Sequence, residues 1–213
     1  MLGIIFTGGE SPPAQVARRV VDQAGRPLLI AADSGLKVVE SAGLRAGWII
    51  GDMDSLDDAS KLSEYPPQRV IRHVHDKDST DTELAFSLAI DKGCDVIWLI
   101  GGGGGRMDHI FGIRCLFERE RFPIRWITDR EDIRCIDAAG PDELDCRFEK
   151  NSVVSVFPLG DGCWKAKSSG LKWPLDGVLW NRGFFGLSNV AVDGNFSIKA
   201  ESGRFMVILP LPV

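Results

Sequence analysis

Acidic side chains in this chain gather where short apolar runs end. Gly51-Asp52-Met53-Asp54-Ser55 directly follows Trp48-Ile49-Ile50, and Lys77-Asp78-Ser79-Thr80-Asp81-Thr82-Glu83 opens a stretch with helical spacing. Asp52 and Asp54 stand two apart, so on an extended chain both carboxylates point to one side. Hard divalent cations such as Mg²⁺ take oxygen ligands, usually a few carboxylates completed by water and substrate phosphates. A place for phosphates is supplied by five consecutive glycines, Gly101, Gly102, Gly103, Gly104 and Gly105, between Val96-Ile97-Trp98-Leu99-Ile100 and Arg106-Met107-Asp108-His109. A glycine in an ordered element costs roughly 0.5–1 kcal/mol against alanine, so a rigid run needs a reason. Close approach of backbone N–H groups to a phosphate chain is one reason; a plain surface loop is the other reading. Carboxylates converging near a glycine cradle make a metal–triphosphate site.

Simpler explanations cover part of this. Thr80-Asp81-Thr82-Glu83 matches a capping box, which accounts for Thr80 and Glu83 through helix stability and leaves Asp78 and Asp81 less explained. Asp52 and Asp54 do not open an EF-hand: Leu56 stands where an oxygen ligand is needed, Asp57 where glycine is, and Ser63 where the final glutamate is. Their strand-then-Asp-x-Asp order resembles haloacid-dehalogenase-type phosphatases, in which the first Asp is a nucleophile. That makes an Asp-nucleophile phosphohydrolase the alternative enzyme, and a non-catalytic nucleotide-binding module a third reading. His73 and His75 have no Cys or third His at ligand spacing, which argues against a transition-metal site. No G-K-[ST] follows the glycines, and Arg106 stands where G-x-G-x-x-G needs its last glycine, so neither nucleotide fingerprint is complete. Arg106 can meet a phosphate with its planar fork or pair with Asp108.

These residues need elements to position them. Strands are expected at Leu2–Phe6, Leu28–Ala31, Trp48–Ile50, Val70–His73, Val96–Ile100 and Ile124–Ile127, and helices at Ala14–Ala24, Leu36–Ala42, Thr82–Lys92 and Ile110–Arg121. Strands alternating with helices imply a mainly parallel sheet, whose ligands bind outside the carboxyl ends of the strands. Asp33, Asp52 and the glycine run each follow a strand and so share that edge. After about residue 139, short alternating segments replace helical periodicity: Val153–Phe157, Trp164–Ser168, Val190–Val192, Phe196–Ile198 and Phe205–Leu209, with Asp193-Gly194 as a hairpin signal. The expected fold is α/β: a mainly parallel α/β nucleotide-binding domain over residues 1–138, then a small all-β, sandwich-like domain over 139–213.

The chain has 213 residues, 44% of them hydrophobic, and a formal net charge of −5. That charge argues against a nucleic-acid backbone or an anionic membrane as partner. Five cysteines, widely spaced and without a C-x-x-C pair, read as reduced thiols of a cytoplasmic protein. No apolar stretch approaches the ~20 residues of a membrane span.

Taken in order, Ala32-Asp33-Ser34-Gly35, Gly51-Asp52-Met53-Asp54-Ser55, Lys77-Asp78-x-Thr80-Asp81 and Gly104-Gly105-Arg106-Met107-Asp108-His109 resemble the thiamine pyrophosphokinase family. Ser169-Gly170-Leu171-Lys172-Trp173-Pro174-Leu175 and Gly186-Leu187-Ser188-Asn189 are similar to its C-terminal signatures. The resemblance implies transfer of pyrophosphate from ATP to the hydroxyl of thiamine, giving thiamine diphosphate and AMP. It implies Mg²⁺ on Asp52, Asp54 and Asp81, with Asp78 beside them as a catalytic candidate. Asp33, Lys77, Gly101 to Arg106, Asp108 and His109 would line the nucleotide site. It also implies a homodimer in which thiamine lies between one subunit's nucleotide domain and the other's β-domain, contacted by Ser188, Asn189 and Trp173. Relatives often carry an aromatic shortly after Ser-Asn, where this chain has Val190-Ala191.

Overall fold

The computed structural model describes residues 1–53, 59–73 and 78–211, which fall into two compact units. The first comprises Met1–Leu116 and Arg121–Arg130; the second comprises Phe117–Glu120 and the chain from Glu131 onward.

Six short strands build the first unit: β1 (Leu2–Phe6), β2 (Leu28–Ala32), β3 (Trp48–Gly51), β4 (Val70–Arg72), β5 (Val96–Ile100) and β6 (Arg125–Ile127). Every pairing is parallel, in the order β6-β5-β1-β2-β3-β4. A parallel strand covered on both faces reads as a continuous apolar run, and Ile4, Ile5, Phe6, Ile30, Leu99 and Ile100 are accordingly sealed from solvent. The chain winds outward from β1 to β4 and returns to β5 on the other side of β1. The direction of winding therefore reverses between β1 and β5, where such sheets open a crevice.

Among the described residues four α-helices connect these strands, α1 (Ala14–Gln23), α2 (Gly35–Ser41), α3 (Asp81–Asp91) and α4 (Met107–Leu116), with short 3-10 turns between β3 and β4. Helix α3 starts at the expected capping box. The Thr80 hydroxyl accepts from Glu83 N–H at 3.2 Å, and the Glu83 carboxylate accepts from Thr80 N–H at 3.0 Å. Helix α4 departs from expectation, beginning three residues before Ile110 and ending at Leu116 instead of Arg121. The carbonyls of Phe117 and Arg119 accept from the Arg204 guanidinium, at 2.8 Å each, so the chain beyond Leu116 bonds elsewhere and the helix stops.

The second unit is antiparallel. β7 (Glu131–Asp137), β9 (Val153–Leu159), β11 (Gly186–Val190) and β13 (Arg204–Pro210) form one sheet in the order β11-β9-β13-β7; β8 (Glu143–Arg147), β10 (Lys165–Ser169) and β12 (Asn195–Ser202) form another, ordered β10-β12-β8. Val154, Val156, Phe196, Ile198, Phe205 and Val207 pack into one core from both sheets, which makes the unit sandwich-like. β7 and β8 have no counterpart among the expected strands, because their apolar residues are interrupted by Asp132, Arg134 and Asp145. Buried Asp132 is neutralised by Arg134 at 2.8 Å. Asp193-Gly194 is not a hairpin turn: β11 pairs with β9 whereas β12 pairs with β10 and β8, so this turn carries the chain from one sheet to the other.

Candidate active site

The switch point of the first unit holds a cleft of about 740 Å³. Its walls come from the turns after β1, β2, β3 and β5 and from the first turns of α3 and α4. Asp33, Asp52, Asp81, Gly102 to Gly105, Arg106, Asp108 and His109 all line it. Asp78 is exposed and stands outside the lining, as does Gly101. Asp54 and Lys77 lie outside the described residues. Thr7, Gly8, Gly9 and Ser34 also line the cleft. Gly8-Gly9 directly after the first apolar run was the signal for them, legible once β1 is placed at the switch point.

Packing within the protein accounts for most of the glycine run. Gly101 N–H donates to Ile127 O at 2.9 Å, Gly102 N–H to Gly8 O at 2.8 Å, and Gly103 N–H to Glu10 O at 2.9 Å; Glu10 N–H returns a bond to Gly103 O at 2.7 Å. A Cβ on Gly101 would run into the Thr7 carbonyl, and one on Gly103 into the Asp129 carboxylate. The loop after β5 is thus pressed against the loop after β1, and three of its five amides already have acceptors. Gly104, Gly105 and Arg106 are the loop's amides with no backbone acceptor among the described residues. Beside Gly105 a Cβ would meet open space.

The acidic residues owe their placement to unusual backbone. Asp33 adopts φ 47° and Met53 φ 67°, in the left-handed region that side chains other than Asn and Asp rarely occupy. Met53 is buried, so its side chain anchors the turn. The chain is therefore not extended at Met53, and simple alternation does not carry past Asp52. Asp52 and Asp81 are half-buried. Beneath them the hydroxyls of Thr7 and Thr82, both buried, meet at 2.5 Å and tie β1 to the start of α3. At the cleft rim the Arg106 guanidinium grips both carboxylate oxygens of Asp108, at 3.1 and 2.5 Å. That hydrogen bonding holds the Asp108 carboxyl below its ordinary range and raises the Arg106 guanidinium.

Asp33 Oδ1 is buried without a hydrogen-bond partner among the described residues, the state of an oxygen awaiting a cation or donor. Asp52 and Asp81 line the same cleft, so the donors on offer are carboxylate oxygens, a set that fits Mg²⁺ and not a soft metal. No cluster of three or more His, Cys, Asp or Glu side chains among the described residues could hold a metal by itself. This donor set therefore fits a cation whose shell is completed by water and phosphates.

In the second unit, Trp173 is 54% exposed and Ser188 is exposed, whereas Asn189 is only 6% exposed. The Asn189 amide is already engaged: Oδ1 accepts from Trp173 N–H at 3.1 Å and from Val190 N–H at 2.8 Å, and Nδ2 donates to Trp173 O at 2.6 Å.

An open parallel sheet with carboxylates and a glycine loop at its switch point, continued in one chain by an antiparallel β unit, defines the class as a two-part α/β enzyme. The chain belongs to the thiamine pyrophosphokinase family. The family model described as the thiamin pyrophosphokinase catalytic domain matches residues 22–125, and that of the vitamin B1 binding domain matches 143–205. The chain is 29% identical over 155 residues to a thiamine pyrophosphokinase of Bacillus subtilis, covering 70% of this chain and 71% of that one. Its fold is similar to the crystal structure of thiamine pyrophosphokinase from Bacillus subtilis (TM-score 0.78, 24% identity, 100% and 99% of the two chains). It is also similar to that from Geobacillus thermodenitrificans (TM-score 0.76, 25% identity, 99% and 97%). The likeness extends to the yeast enzyme at TM-score 0.65 and 15% identity, covering 99% of this chain and 86% of that one.

Proposed function

We propose that this enzyme transfers the terminal pyrophosphate of ATP to the hydroxyl of thiamine, producing thiamine diphosphate and AMP. The observation that carries the reading is the crevice at the β1/β5 switch point, lined by three carboxylates, a glycine loop and Arg106 in a chain of this family. Transfer of this kind depends on aligning the attacking oxygen and neutralising phosphate charge, with little covalent work for the protein. The amides of Gly104, Gly105 and Arg106 donate to phosphate oxygens, and the Arg106 fork exchanges Asp108 for a phosphate. Asp52, Asp54 and Asp81 would hold Mg²⁺, which when bound supplies charge neutralisation at the phosphates, and Asp33 would face the nucleotide in the same cleft. The second unit takes thiamine through Trp173 and Ser188. The phosphohydrolase reading leaves the glycine loop and the β unit unused.

A homodimer is part of the proposal. Strand β11 is an edge of its sheet, and Leu187 (62% exposed), Phe184, Phe185 and Leu179 stand exposed on it and just before it. An uncovered apolar edge strand is a pairing surface, here for a second copy. No described helix is long and apolar enough to cross a membrane, and the free cysteines suit a cytoplasmic setting. Incubation with ATP, Mg²⁺ and thiamine tests the activity. AMP formed only when thiamine is present is the expected result; inorganic phosphate released without thiamine would sink the transfer reading.

A further inference from the structure

Trp173 presents its indole outward although the segment that carries it is held from within. Leu171 and Leu175 on either side are buried, Leu171 bridges to Ala191, and Lys172 N–H donates to Val190 O at 2.8 Å. Pro174 further restricts the backbone of Trp173. Asn189 completes the restraint: its amide takes up both backbone polar groups of Trp173, as a neighbouring strand would. Close by, the register of β11 on β9 shifts between Gly186 and Asn189, Ser188 stands at φ 59°, and its N–H donates to the hydroxyl of buried Ser155 at 3.1 Å. A bulge of this kind re-aims a side chain and is favoured beside functional sites. A half-exposed tryptophan gains nothing in core packing from so much buried hydrogen bonding.

We propose that Asn189 is a positioning residue and not a substrate contact: its buried amide fixes the Trp173 backbone so that the indole forms one wall of the thiamine site. Oδ1 accepts two N–H bonds and one of the two Nδ2 N–H groups donates to Trp173 O, so only one donor remains, on a residue that is 6% exposed. Ser155 acts in the same way on Ser188, holding the left-handed residue whose side chain stays exposed. The flat wall suits a planar, uncharged heterocycle, such as a pyrimidine, since the Lys172 ammonium already lies 4.5 Å from the ring centroid and a second cation there would be repelled. The proposal rests on the reading that this unit takes thiamine.

Its test is a double-mutant cycle with amide hydrogen exchange as a second readout. Asn189→Ala should speed exchange of the Trp173 and Val190 amides and raise the thiamine KM about ten-fold, as a misplaced positioning group does, while ATP KM and kcat stay nearly unchanged. Trp173→Ala, at an exposed position, should give a similar rise, and the double variant no more than either single one. Asn189→Asp loses the donor to Trp173 O and sets an oxygen against it, so it too should speed exchange of the Trp173 amide and raise the thiamine KM, which preserves the test if the alanine variant fails to fold. Multiplicative losses in the double variant would mean that Asn189 touches the substrate, and unchanged amide exchange in Asn189→Ala would mean that there is no clasp; either overturns the proposal. So would a thiamine KM that neither variant alters. If the unaltered enzyme makes no AMP with thiamine, the underlying reading fails, a result recognisable because no variant is involved.

Discussion

The two units place their candidate residues by opposite means. In the first, topology does the placing: a parallel sheet whose winding reverses between β1 and β5 opens a crevice there, and strands with almost no solvent exposure deliver Asp33, Asp52 and the glycine loop to it. In the second, an antiparallel sheet has no such point, and its candidates sit beside an edge strand where individual hydrogen bonds from Asn189 and Ser155 hold them. A site made by topology should tolerate loss of one polar side chain without loss of fold. A site made by a few side-chain bonds should lose its geometry one bond at a time.

The sharpest way to break this contrast is Asp52→Asn. It removes one carboxylate from the crevice and no core packing, so turnover should fall by on the order of 100-fold or more while the melting temperature without Mg²⁺ stays put. Normal turnover would remove Asp52 from the site; a collapsed fold would show that the acid holds the crevice together. The glycine loop comes next. Gly103→Val drives a side chain into Asp129 and Thr128, so it should cost roughly 1–3 kcal/mol by overpacking and weaken ATP binding as well. Gly105→Ala meets open space but must hold φ 62°, which costs about 1–2 kcal/mol of backbone strain. Equal ATP affinities in both variants and the parent would mean that the loop only packs. In the second unit, Leu187→Glu places a charge on the exposed edge and should convert a dimer to monomers in light scattering, with the far-ultraviolet spectrum unchanged; a dimer that persists would put the interface elsewhere.

The smallest effect compares the units thiol by thiol. Each exposes one cysteine, Cys115 in the first and Cys163 in the second. Burial raises the Cys94 thiol, pushes Cys135 up to about 12 and Cys146 up to about 11, which keeps these three protonated and unreactive at about pH 8. A disulfide reagent should therefore titrate two thiols quickly in the native protein and the remaining three only after unfolding. Rapid reaction of a third would mean that one unit opens locally.

Much of the first unit was legible in the sequence because a strand buried on both faces has no choice but to be apolar along its length, and because Thr80 and Glu83 spell out a helix start. The order of Asp33, Asp52 and the glycines after such strands gave their common edge. What the letters did not carry was backbone handedness: nothing in Gly51-Asp52-Met53 signals the left-handed turn at Met53 that ends the strand. In the second unit β7 stayed hidden because buried Asp132 is neutralised by Arg134 two residues away, which breaks the apolar alternation without breaking the strand, and β8 because Glu143, Asp145 and Arg147 leave it only Leu144 and Cys146 as apolar residues. Asn189 reads as a contact because an amide in a signature is a ligand group; only the distances reveal its bonds to Trp173 and Val190.

The run of glycines has a bearing on inheritance. A side chain at Gly101 would grow into the Thr7 carbonyl and would have to hold φ 99°, so that position is closed to other residues by the protein's own backbone. A descendant that had abandoned nucleotides altogether would still be obliged to keep Gly101, and its presence in a related sequence is no certificate of activity. Gly105, with open space at its Cβ position, is held by its φ of 62° alone, a conformation that Asn or Asp bears more easily than other side chains.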